Sequence, residues 1–178
     1  MRPTRSSASA RSIATVAMLV AVGAVLGIVE SAVAPSLVVP GVRLGLANLV
    51  VVIAIPFVGR AGALRVSLLR VLIVSLATGA LGGPGFAMAL TGALASWAVM
   101  AGLSTIRSVS AIGWSVGGAA AHVTAQLAVV ALLAGTAAPL LLLPVSLALA
   151  LACGLVIGYS SRLLLARVPL AFTEPATR

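Results

Sequence analysis

The chain has no lysine and no aspartate, and its only acids among 178 residues are Glu30 and Glu174. Mg²⁺ wants several hard oxygen ligands in octahedral geometry, and this composition cannot cluster them. The single cysteine, Cys153, excludes an internal disulfide and a cysteine metal cluster. It sits in an apolar run and reads as a small packing residue. Neither a metal nor a cofactor is expected. Aromatic residues make up 3% of the chain, so the girdles of a transmembrane β-barrel are missing. Charged residues make up 7% against 62% hydrophobic ones. A soluble domain of this size could not cover so much apolar surface with so few charges. The glycine-rich turn from Gly82 to Gly85 lacks the following Lys-Ser/Thr pair, which excludes a P-loop.

What is present is Ala, Leu, Val, Ile and Gly, a mixture suited to helices that pack closely through small residues. The expected class is an all-α integral membrane protein. A crossing takes about 20 apolar residues, and six candidates emerge: 12–34, 44–58, 61–81, 86–103, 113–134 and 139–163. The second is short. Proline-, glycine- or serine-rich clusters, or charged points, separate them. Residues 1–11 form a basic tail, 12–163 the six-helix transmembrane domain, and 164–178 a C-terminal tail. The N-terminal arginines and Ala32-Val33-Ala34 imitate a secretory signal, but the apolar run 13–29 is longer than a signal core. An uncleaved first helix is the expected reading.

Short loops on the cytoplasmic side collect arginine. With the N-terminus inside, Arg2, Arg5, Arg11, Arg60, Arg65, Arg107, Arg162, Arg167 and Arg178 all fall inside, against Arg43 alone outside. Both termini are therefore expected in the cytoplasm. The arginines are dispersed between apolar runs, so the net charge of +9 points to topology and anionic lipid rather than to nucleic acid.

The stretch from Glu30 to Asn48 holds the densest polar cluster. A carboxylate near hydrocarbon normally has a partner or a task. Arg43 is its nearest partner in sequence, and its planar fork of donors also suits an anionic substrate group. Asn48 suits either an interhelical hydrogen bond or a ligand. Arg70 lies deep in the third span and needs a carbonyl or an anion. His122 and Gln126, four apart, share a helix face. They form a polar seam or part of a binding site, and do not suffice for a metal. This topology puts Glu30, Asn48, Ser75, Thr78, Thr91, Gln126 and Ser146 in outer halves of their spans, with His122 near the middle. Their convergence would make an outward-facing pocket.

Several stretches resemble a known family. Glu30 closes the first helix, and Pro40-Gly41-Val42-Arg43-Leu44-Gly45-Leu46-Ala47-Asn48 follows. The run 67–72 of the third span and the stretch around Gly92 to Trp97 add to the pattern. The chain looks like the Gx transporter family, also catalogued as heptaprenyl diphosphate synthase component I, over about residues 11–165. That family is similar to the S components of energy-coupling factor (ECF) transporters, six-helix subunits without an ATPase of their own. The resemblance implies a multi-pass protein of a bacterial plasma membrane. It implies capture of a small molecule from outside and partnership with a coupling transmembrane subunit and an ATPase pair. It also implies docking through an Ala-x-x-x-Ala face on the first helix, which Ala17 and Ala21 match in spacing. The substrate-binding candidates are Glu30, Arg43, Asn48, Arg70, His122 and Gln126, and catalysis is not expected. Prenyl diphosphate synthases hold diphosphate through Mg²⁺ on clusters of Asp, which this chain lacks. In such a synthase it would be an accessory membrane component. A stand-alone proton-coupled carrier is the other rival.

Overall fold

A computed structural model describes residues 5–33, Gly45 and residues 48–167. It is helical, with no strand among the described residues. The helices are α1 (Arg5–Val33), α2 (Asn48–Ala77), α3 (Pro84–Leu103), α4 (Ala111–Ala134) and α5 (Leu143–Arg167), with a 3-10 turn over Ala138–Leu142 before α5. Five helical stretches are long and apolar enough to cross a membrane. The chain is a multi-pass membrane protein. Their outer faces carry large apolar side chains such as Leu132, Ile13 and Val156, as lipid contact requires.

Five helices stand where the apolar runs predict six, because the second and third runs join in α2. That helix is broken at Gly59, whose φ of 71° and ψ of 175° leave the helical region. Only glycine adopts this conformation without strain. Asn48 and Arg70 line one cavity, yet a straight helix would hold them about 33 Å apart. The chain therefore folds back at Gly59 into two limbs, 48–58 and 60–77. The first limb, eleven residues long, rises only about 16 Å. That is about half of a hydrocarbon core.

The short limb is the centre of the bundle. Leu49 and Ile53 are half-buried and Pro56 is exposed on one face, while Val50, Val51, Val52 and Ala54 on the rest of the helix are all buried. They form one core with Leu19 and Val20 of α1, Ala63 and Val66 of the second limb, and Met100 of α3. A helix that is apolar all round suits this position.

Glycines set the closest contacts. A Cβ on Gly158 would lie 2.7 Å from Ile112 Cα, and one on Gly154 would lie 3.0 Å from Val116 Cα. The four-residue spacing on α5 thus brings its backbone against that of α4. Other boundaries follow local chemistry. Pro84 opens α3 after an extended Gly83. Gly135, left-handed at φ 64°, closes α4. Pro144 has no N–H to bond back to residue 140, and the 3-10 turn gives way to α5 beside it.

Candidate functional site

Buried polar groups in a membrane bundle are costly, so those that gather mark the site to examine. Five candidates are nearly sealed: Glu30 is 4% exposed, Asn48 3%, Arg70 7%, His122 7% and Gln126 2%. The bundle brings four of them together. Glu30 from the end of α1, Asn48 from the start of α2, Arg70 from its second limb and His122 from α4 line one cavity of about 20 Å³. Ser75, Val74 and Ala89 complete much of the wall. Such a space holds one water molecule. A larger ligand enters only when the surrounding helices part.

Gly45 closes the cluster. Its backbone N–H donates to Glu30 Oε1, and its carbonyl accepts from the Asn48 backbone N–H at 2.7 Å. With φ at 73° it takes a left-handed turn. One glycine thus ties the carboxylate to the start of α2. The sequence reading missed this amide as a site group. Gly45 belongs to the Gly-x-x-Leu-Gly-x-Ala-Asn run, so the signal was present. Ser75 also lines the cavity, a hydroxyl that the sequence alone ranks with the other serines and threonines.

Arg70 reaches the cavity along a groove made by a glycine. A Cβ on Gly23 would lie 2.9 Å from Arg70 Cδ, so the bare backbone of α1 gives the guanidinium stem its path. Gly92 of α3 does the same for α4. A Cβ there would lie 2.9 Å from His122 Nε2 and 3.1 Å from Gln126 Cγ. Gly92→Ala is expected to displace both side chains and to lower stability by about 1 kcal/mol, because side-chain tips can yield. An unchanged unfolding midpoint in mild detergent would contradict that packing.

The hydroxyls expected in the same region separate from the cluster by their bonds. Thr78 Oγ1 donates to the Val74 carbonyl and Thr91 Oγ1 to the Ala87 carbonyl, both at 2.8 Å. They are satisfied within their own helices. Asn48 Nδ2 and both polar atoms of Gln126 are buried and have no hydrogen-bond partner among the described residues. Gln126 sits one turn beyond His122 and lines a different opening. Arg43 lies outside the described residues. Ala17 and Ala21 are exposed on α1.

The opposite end of the bundle is different. Arg60, Arg65, Arg107, Arg162 and Arg167 lie toward it, and Trp97 Nε1 donates to the Arg60 carbonyl there at 2.9 Å. One end carries exposed cations and the other a buried polar cluster.

The model of one protein family, described as heptaprenyl diphosphate synthase component I, matches residues 19–164. The chain belongs to that family. The match takes in every polar candidate from Glu30 to Gln126, and all five helices in whole or part. No curated protein and no solved structure matches this component I chain.

Proposed function

We propose that the chain is the membrane-embedded substrate-binding subunit of an ECF-type uptake transporter, similar to an S component. One observation carries the reading. Three helices, one of them through both its limbs, deliver a carboxylate, an amide, a guanidinium and an imidazole to one buried cluster in a membrane bundle. Polar groups so placed mark substrate pathways more often than packing. The cluster end faces outside and the arginine end the cytoplasm, as the arginine bias requires. In this topology the apolar run 44–58 and the second limb of α2 count as separate passes, giving six, with both termini cytoplasmic in a bacterial plasma membrane. The small molecule is captured from outside by Glu30, Asn48, Arg70, His122 and Gln126, with Arg43 in the connecting segment. Arg43 and Arg70 favour an anionic group. The exposed Ala17/Ala21 face of α1 meets the coupling subunit, and an ATPase pair supplies the energy. The chain itself catalyses nothing.

The test is co-purification with a coupling subunit and an ATPase pair, followed by uptake into vesicles. The reading expects a stable complex and ATP-dependent uptake. Uptake that ignores ATP and collapses with the proton gradient would instead make Glu30 or His122 the coupling group of a carrier.

The family's description favours a second reading, an accessory membrane component of a heptaprenyl diphosphate synthase. With no Asp and two Glu the chain cannot supply the carboxylate clusters that hold Mg²⁺ and diphosphate. Its role there would be to anchor or complete a catalytic subunit. Prenyl synthase activity that appears only on mixing the two chains would establish this reading.

A further inference from the structure

Beyond His122, toward the end of α4, a cleft of about 490 Å³ opens between α3, α4 and the 3-10 turn. Its size falls within the range of about 300–1,000 Å³ usual for small-molecule sites. Met88, Val123, Leu127, Leu141 and Leu142 make most of its wall, and no charged residue is among its described lining. Thr136 also borders it at the exposed rim, where its hydroxyl accepts from the Ala138 backbone N–H at 3.3 Å. Gln126 is the exception in this wall. Its Oε1 and Nε2 are both buried and have no hydrogen-bond partner among the described residues. An amide left so in a membrane bundle is destabilising for each unmade partner. The cleft beside it has room for a molecule that supplies both partners once the Gln126 side chain turns toward the opening.

We propose that this cleft binds an uncharged, largely apolar molecule whose head group both donates and accepts a hydrogen bond, as a carboxamide does. Gln126 pairs with the head through its carbonyl and its NH₂, and the leucine and valine side chains cover the body. A carboxylate is disfavoured, because no cation lines the cleft to compensate its burial. The cleft is distinct from the water-sized cavity at Glu30, which Gln126 does not line. Of the proposed capture residues its described lining holds Gln126 alone, and it does not depend on how the chain is energised.

Three probes with one body decide it: naphthalene-2-carboxamide, naphthalene-2-carboxylate and 2-methylnaphthalene. Each is added to the purified full-length chain at fixed detergent, and protection against thermal unfolding is measured. The amide is expected to protect, and the other two are not. Gln126→Leu should weaken protection by the amide about tenfold or more, the worth of one or two hydrogen bonds. Without probe that variant should unfold no earlier than the parent chain. Leu142→Trp, which fills the cleft from its rim, should also abolish protection. Asn48→Leu, at the other cavity, should leave it intact. Equal protection by the amide and the hydrocarbon would reduce the cleft to an apolar filling site and overturn the proposal. So would protection that survives Gln126→Leu, or none from any probe.

Discussion

Glu30→Leu and Arg70→Met are each expected to destabilise the protein by about 3–5 kcal/mol, and the double change by less than either alone. Both residues are buried and line the same cavity. Glu30 is the only acid among the described residues, so it is the negative charge available at Arg70's depth. Removing either leaves an uncompensated charge in a region that water barely reaches, and that is what makes the single changes severe. Removing both replaces two ions by apolar side chains of similar bulk. Soluble proteins often tolerate such a swap, and a lipid-embedded bundle should tolerate it at least as well. Glu30→Leu carries an extra loss, because the Gly45 N–H then has no acceptor. Unfolding midpoints of the two single variants and the double variant, taken in one detergent, measure the coupling. Strictly additive losses would show that the two charges do not compensate each other.

The second large effect belongs to the fold. Gly59→Val should lower stability by up to about 3 kcal/mol through backbone strain alone. A Cβ at Gly59 would meet nothing within 4 Å, so no clash enters. The cost comes from forcing a β-branched residue to a φ of 71°. Gly102 is the control. It is helical, and a Cβ there likewise meets nothing within 4 Å. Gly102→Ala should be neutral or slightly stabilising. If the two variants behave alike, α2 does not fold back at Gly59. The short first limb would then lose its place at the centre of the core.

Much of this was legible in the residues. Runs of Ala, Leu, Val and Gly announce membrane helices, and Gly59-Arg60 marks a break between two of them. The length of the first limb was visible as a short apolar run. Its burial at the core was not, because that depends on which helices surround it. Glu30, Asn48, Arg70 and His122 stand out because polar groups are scarce in this chain. Their meeting in one cavity depends on how four helical segments are rotated about their axes, which no local pattern fixes. Composition also ranks Thr78 and Thr91 with Asn48 and Gln126. Hydrogen bonds separate them: a threonine can bond its own helix, while a carboxamide in mid-bundle needs a partner from elsewhere. The Gly45 amide escaped notice because backbone donors are silent in a sequence.

The cluster is claimed as a ligand site, and Asn48 offers the most direct test. Its Nδ2 is buried without a hydrogen-bond partner among the described residues. Leucine has nearly the same shape, so Asn48→Leu removes an unmet polar group and should leave stability equal or higher. A residue kept only for packing would not behave so. Native mass spectrometry of the chain, purified in mild detergent from cells grown in rich medium, reads the consequence. The account expects a bound small molecule on the parent chain and its loss from Asn48→Leu, with both proteins folded. No bound molecule on either chain, or equal occupancy on both, would contradict it.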